Sequence, residues 1–371
     1  MHVGETPILR NYGKETKMIY PKFLKEGDTI GICAPSCGIE EKDINKFELS
    51  LNNLKKEGYK IVETENVRSG KMPSTDAKTR AKEFNELFKR EDIDFIFSAS
   101  GGGFLMEILP YLDENAINEA IKESKTKWFA GYSDPTSLLY YLTTKFDIAT
   151  LYGFNGGNFD QHDLHISLKN ALEILKGNIV KQESFEKYQD ISFEEKALLE
   201  DGANFVLNKE DKWINLNGDF DVSGRLIGGC IDCLQYLVGT RFDYTKDFIE
   251  KYKEDGIIWY FDNFALKAED LYYVLFEMRE ADWFKYAKGF VFGRTLFSNS
   301  FIGISYEDAI KRALGEEMPI ILDADIGHVK PVFTLINGCI AHFKSKDGKG
   351  SLEMRTWGRP LKVRKIQVII R

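Results

Sequence analysis

In Gly131-Tyr132-Ser133-Asp134-Pro135-Thr136 a serine stands between an apolar run, Trp128-Phe129-Ala130, and a segment of helical character, Ser137 to Leu142. A hydroxyl on a sharp strand-to-helix turn is held out of the sheet, and the amides that follow it can stabilise an oxyanion. That arrangement suits acyl transfer; its plainer alternative is helix capping by Ser133 or Asp134. A hydroxyl nucleophile needs a base near neutral pKa, and the base needs a carboxylate to fix its tautomer. Asp262, after Ile257 to Phe261, and His328, reached from Pro319-Ile320-Ile321-Leu322 through Asp323 to Gly327, both follow strand-like runs. Functional residues of open α/β sheets collect at such strand ends. The order Ser133, Asp262, His328 thus reads as nucleophile, orienting acid and base.

With five histidines in the chain, few compete for the role of base. His2 lies in the amino-terminal tail and His342 in alternating, β-like sequence. His162 and His165, near Asp160 and Asp163, lack the spacing of a tetrahedral metal site and are expected in a solvated polar loop. For His328 the alternative is a hydrogen-bonded structural histidine. Gly101-Gly102-Gly103 follows a strand-like run ending at Ser98, where glycine amides can approach a phosphate or an oxyanion, or simply make a tight turn. As a dinucleotide fingerprint the run fails, because Met106 stands at the third glycine position, and a nicotinamide-dependent oxidoreductase is a weak alternative.

The elements that would position these residues form an α/β pattern. Strand-like runs at Asp28–Ala34, Tyr59–Val62, Asp94–Ser98 and Lys127–Tyr132 alternate with helical periodicity, which implies parallel βαβ units in an open, Rossmann-like sheet flanked by helices. An acidic, irregular stretch follows. The rhythm resumes after Gly224 with strands at 256–261, 289–293 and 319–322, helices at 267–278 and 306–314, and a hairpin around Lys346 to Gly350. The expected organisation is an extension or cloning remnant at 1–17, an amino-terminal α/β domain at 18–176 and a connection at 177–200. A carboxyl-terminal α/β domain with additional β structure takes 201–371.

The 371 residues carry 50 basic and 58 acidic side chains, a net charge of −8, which argues against nucleic-acid polymers and anionic membrane surfaces as partners. No apolar run reaches membrane-spanning length and the amino terminus has no signal-peptide core. Five scattered cysteines suit a reducing cytoplasm better than a disulfide framework. Cys230 and Cys233 are expected as two small buried thiols in a packed helix running from about Leu226 to Leu237.

The chain resembles the LD-carboxypeptidase family of serine peptidases, which includes the microcin C immunity hydrolases. The resemblance is carried in family order by Gly31 to Ser36, Gly101-Gly102 with Leu109-Pro110-Tyr111-Leu112-Asp113, and Gly131 to Asp134 with Thr136 and Leu138. It continues in Gly224 to Gly229 with Gly239-Thr240, and in Asp323 to His328 with Pro331. It implies Ser133 on one domain, Asp262 and His328 on the other, and oxyanion donors at Asp134 and at Gly101 or Gly102. It implies cleavage of an amide between an L-centre and a terminal D-amino acid in cytoplasmic murein peptides, or of a peptidyl-nucleotide amide in the microcin branch. It further implies no metal or organic cofactor, and a homodimer. Three positions depart from the family pattern. Asp262 replaces a usual Glu, Ser100 stands where Arg is frequent, and Tyr152-Gly153 continues into Phe154-Asn155-Gly156 rather than Pro. The shorter acid motivates one more alternative, an inactive small-ligand binder.

Overall fold

The computed structural model describes residues 18–192, 195–196, 198–297 and 299–356. The expected extension at 1–17 lies outside these residues. In the first half the strands are β1 (Thr29–Cys33), β2 (Lys60–Glu63), β3 (Phe95–Ser98), β4 (Trp128–Gly131) and β5 (Thr150–Tyr152). They lie in the order β5-β4-β3-β1-β2, all parallel. β1, β3 and β4 are buried along nearly their whole length, as strands covered on both faces must be. Strand order reverses between β1 and β3, and the crevice outside their carboxyl ends is where such sheets bind ligands.

The remaining strands are β6 (Gln182–Glu183), β7 (Lys187–Tyr188), β8 (Lys209–Glu210), β9 (Ile214–Leu216), β10 (Phe220–Cys230), β11 (Ile257–Asp262), β12 (Ala287–Gly293) and β13 (Ile320–Ala324), then β14 (Leu335–Asn337), β15 (Ile340–Lys346) and β16 (Lys349–Arg355). Eight of them build a second sheet, β6-β16-β15-β10-β11-β12-β13-β9, with a parallel centre from β10 to β13 and antiparallel strands at both edges. β15 and β16 form the expected hairpin. β14 leaves this sheet and pairs antiparallel with β5, so a strand from late in the chain completes the first sheet.

One element differs from its sequence expectation. Leu226 and Ile227 belong to the eleven-residue strand β10, and the helix that follows is only Ile231–Leu234. The Gly224, Gly228 and Gly229 that punctuate this run permit close strand approach: a Cβ at Gly228 would fall 1.8 Å from the Tyr260 carbonyl oxygen. Cys230 therefore ends a strand.

The helix Thr136–Phe146 joins the two sheets. All its residues but Lys145 are buried, the mark of a helix enclosed on every side. Thr136 Oγ1 accepts from the Cys230 amide at 3.0 Å, Tyr140 OH meets Thr245 Oγ1 at 2.8 Å, and the Tyr140 ring stacks on Trp283. The element that begins three residues after Ser133 is thereby wedged against the sheet that carries Asp262.

Candidate active site

Ser133 sits in the left-handed region, φ +68°, between β4 and the helix that starts at Thr136. A β-carbon-bearing residue adopts this conformation at a cost of about 1–3 kcal/mol, and such strain gathers at functional turns. The turn is tight: a Cβ at Gly131 would fall 2.6 Å from Pro135 Cβ, so the sequence needs glycine there. Pro135 pre-sets the first helical turn, whose positive end faces back toward Ser133.

The glycine loop after β3 lies against this elbow. A Cβ at Gly101 would stand 3.0 Å from Ser133 Cβ and 3.3 Å from its Oγ, and one at Gly102, φ +136°, would strike Cys37 Sγ at 2.2 Å. The Asp134 side chain holds the two loops together, accepting from Ser36 Oγ at 2.5 Å and from the Leu105 amide at 3.0 Å. Burial pushes its carboxyl upward against those two bonds. Arg80, fully buried, braces the same loops from behind by donating to the Pro35 and Phe104 carbonyls and pairing with Glu107. Among the described residues the amides of Gly101, Gly102 and Asp134 donate to no protein acceptor, which leaves them free for an oxyanion.

Asp262 ends β11 and is fully buried. His328 Nδ1 lies 3.0 Å from its Oδ1 and 2.8 Å from its Oδ2. A carboxylate only accepts, so Nδ1 carries the hydrogen, and in the neutral imidazole Nε2 is then the nitrogen with the lone pair. Tyr152 OH, on β5, donates to Asp262 Oδ2 at 2.5 Å. Burial opposes ionisation of Asp262, but the imidazole and the Tyr152 hydroxyl outweigh it and hold the carboxyl below the usual range. The short acid fits because Gly327 precedes the histidine at φ +98°, where a Cβ would overlap Asp262 Oδ1 at 2.0 Å. The imidazole packs beside Tyr132, centroids 5.1 Å apart, and Phe264, 4.6 Å. No hydrogen bond joins Ser133 Oγ to the imidazole among the described residues; such contacts often tighten only when substrate arrives.

The structure thus brings Gly101, Gly102, Ser133 and Asp134 to one loop cluster and Asp262 with His328 to another, linked by Tyr132. Tyr152 carries no local signal of its part in the site, because nothing in the sequence around it says that a tyrosine will face a carboxylate 110 positions away. The same holds for the buried ion cluster at Asp325, three residues before His328, where Arg294 Nη2 holds Asp211 and Asp325 at 2.5 and 2.6 Å. His165 departs from the solvated loop expected of it. It caps the helix Ile166–Leu175 through the Ser167 amide and packs against Phe185 and Phe205, so burial holds its pKa down.

Cys230 and Cys233 are free, and their mutual hydrogen bond together with burial keeps the Cys230 thiol far above its ordinary range, which disfavours a redox role. Among the described residues no group of three or more His, Cys, Asp or Glu side chains is placed to hold a metal. No helix among them is long and apolar enough to cross a membrane.

The sequence profile of the LD-carboxypeptidase N-terminal domain matches residues 30–153, and that of the LD-carboxypeptidase C-terminal domain matches residues 223–343. The Microcin C7 self-immunity protein MccF of Escherichia coli is 30% identical over 234 residues, an alignment spanning 59% of this chain and 63% of that protein. In fold, the crystal structure of an MccF-like protein from Bacillus anthracis superposes with a TM-score of 0.74 at 24% identity, covering 91% of this chain and 99% of the other. MccF in complex with aspartyl sulfamoyl adenosine superposes equally well, TM-score 0.74 at 23% identity over 91% and 99% of the two chains.

Proposed function

The chain belongs to the LD-carboxypeptidase family, and from that premise we propose that it is a serine hydrolase cleaving the amide between an L-centre and a terminal D-amino acid in murein peptides. The observation that carries the reading is the pairing of a strained serine elbow on one sheet with a carboxylate-held imidazole on the other.

Ser133 Oγ attacks the scissile carbonyl and its proton passes to His328 Nε2. Asp262 stabilises the imidazolium across Nδ1. Negative charge on the carbonyl oxygen is met by the amides of Asp134 and of Gly101 or Gly102, each such donor contributing about 3 kcal/mol to the transition state. Collapse expels the amine, which takes the proton from Nε2. Water then repeats the sequence on the acyl-enzyme and frees Ser133. Two carboxylates compete on paper for the role of acid, Glu269 and Asp270; Glu269 accepts from the Phe301 amide, and Asp262 is the carboxylate against the imidazole.

The test is incubation with a murein tetrapeptide, reading the released amino acid by mass spectrometry, beside labelling with a fluorophosphonate. Ser133→Ala should remove both turnover and label while leaving the thermal midpoint within about 1 °C of the parent's. Turnover that survives the exchange refutes the nucleophile. A second reading, hydrolysis of a peptidyl-nucleotide amide, is favoured by the likeness to MccF, and an aminoacyl-nucleotide analogue in the same assay decides between them. An inactive homologue would give neither product nor label.

We place the activity in the cytoplasm, supported by five unpaired cysteines, which an oxidising compartment would tend to couple. We infer a homodimer as the working form. Exposed Tyr273, Phe276, Phe301 and Ile302 support an apolar contact, and equilibrium sedimentation showing only monomer at micromolar concentration counts against it.

A further inference from the structure

The loop that carries His328 is fastened at its neck by one residue. Asp325, three positions before the base, accepts from the Phe333 amide at 2.7 Å through its backbone carbonyl, so the residues from Ile326 to Val332 hang between the two. Its carboxylate is fully buried and faces two ways. Oδ1 accepts at 2.6 Å from Nη2 of Arg294, the residue just past the end of β12. Oδ2 accepts from the Phe185 amide at 3.2 Å and from Trp213 Nε1 at 3.1 Å. Arg294 reaches Asp325 through Nη2, the atom it also offers to Asp211, while its Nε and Nη1 meet no acceptor among the described residues.

Phe185 and Trp213 stand near the two ends of one excursion of the chain. It leaves one edge of the second sheet after β6 and rejoins the opposite edge at β9. Its outward part runs along the base loop: Gln182 exchanges two hydrogen bonds with Thr334, and the Gln189 amide donates to the Lys330 carbonyl at 2.8 Å. Between the two ends, Gln189, Lys196 and Glu200 wall the cavity beside Tyr132. One carboxylate therefore ties the loop of the base to both ends of the stretch that walls the cavity. Burial, with Asp211 adding to it, pushes that carboxyl up to about 7 against the pull of Arg294. An apolar side chain would fill the same space at less cost. Asn cannot stand in for it, because its NH2 group would face either Arg294 or the Phe185 and Trp213 donors.

We propose that Asp325 is a positioning residue for the reaction: it sets the place of His328, and through it a change at Phe185 or Trp213 displaces the base. The proposal rests on the hydrolase reading above, in which His328 is that base.

The test compares Asp325→Asn and Trp213→Phe with the parent, at a temperature where circular dichroism shows each protein folded. Three readouts are taken: the rate of fluorophosphonate labelling, hydrolysis of the murein tetrapeptide, and the low-field proton resonance of His328 Nδ1–H, assigned by its absence in His328→Ala. The labelling reagent is small and makes no use of the cavity wall. The resonance reports the bond between His328 and Asp262 whether or not the enzyme turns over. Asp325→Asn should slow labelling about 10- to 100-fold, the scale of a displaced catalytic group, and should shift the resonance. Trp213→Phe removes one donor and keeps an aromatic ring. It should slow labelling about threefold or more, move the resonance in the same direction and raise KM for the peptide. A folded Asp325→Asn or Trp213→Phe protein that labels at the parental rate with an unmoved resonance overturns the proposal and leaves the cluster to stability alone. If Asp325→Asn does not fold, Trp213→Phe decides. A wild type that shows the resonance but neither labels nor hydrolyses strikes the hydrolase reading, and the resonance in the two variants then decides the positioning.

Discussion

A single hydroxyl spans the gap between the two halves of the site. Tyr152 is fully buried on β5, where it pairs in register with Gly131, two residues before the serine; its OH reaches Asp262 on the other sheet. It spreads the negative charge of Asp262 and fixes that carboxylate relative to the strand that leads to Ser133. Tyr152→Phe removes one oxygen and little volume. The unshared carboxylate becomes a stronger base, raises the basicity of the imidazole, and should move the acidic limb of the kcat/KM profile toward higher pH. We expect kcat to fall about 10- to 100-fold with KM changed by less than about threefold, since the bond lost is not to substrate. A profile whose limb stays in place would reduce Tyr152 to packing.

At the scale of elements, strand ends and loops decide which groups meet. β11 delivers Asp262 and the loop after β13 delivers His328; between them only glycine fits at 327. Gly327→Ala puts a methyl on the acid's oxygen and forces a left-handed φ on a β-carbon-bearing residue, so activity should fall by at least about a hundredfold. Far-ultraviolet circular dichroism should change little, because the strands themselves are untouched; a G327A protein with parental kcat would show that the loop tolerates displacement. Much of this layer was legible in the sequence. The buried strands declared themselves by uninterrupted apolar runs, and Ser133, Asp262 and His328 by standing just past such runs. Three kinds of feature were not. The end of β10, from Leu226 to Cys230, read as helix because its glycines, which serve strand contact, interrupt the alternation that signals a strand. β5, at three residues, is too short to show a period. The Arg294–Asp211–Asp325 cluster is assembled from three distant segments and has no local signature.

For the whole molecule, the question is whether two sheets behave as one body. Asn337, on β14, answers through its amide: Oδ1 accepts from the Gly228 amide at 3.3 Å and Tyr260 OH at 2.9 Å on the second sheet, while Nδ2 donates to Thr150 Oγ1 on the first. Asn337→Ala strands the buried Tyr260 hydroxyl and should cost about 2–3 kcal/mol, read from denaturant unfolding. The variant should still melt in one calorimetric transition, since the helix Thr136–Phe146 remains clamped between the sheets. Two resolved transitions would mean the halves fold separately. The late arrival of β14 also has a consequence for how the protein is made. Thr150 and Asn337 are 187 positions apart in the chain. At roughly 5–20 residues per second, a ribosome holds the amino-terminal half for about ten to forty seconds before the strand that closes its edge emerges. Throughout that interval the open side of β5 is a template for any extended chain nearby. A nascent polypeptide stalled in that window, or a gene cut after residue 176, should therefore recruit chaperones or precipitate, and a synthetic peptide carrying Leu335-Ile336-Asn337 supplied in trans is the natural remedy.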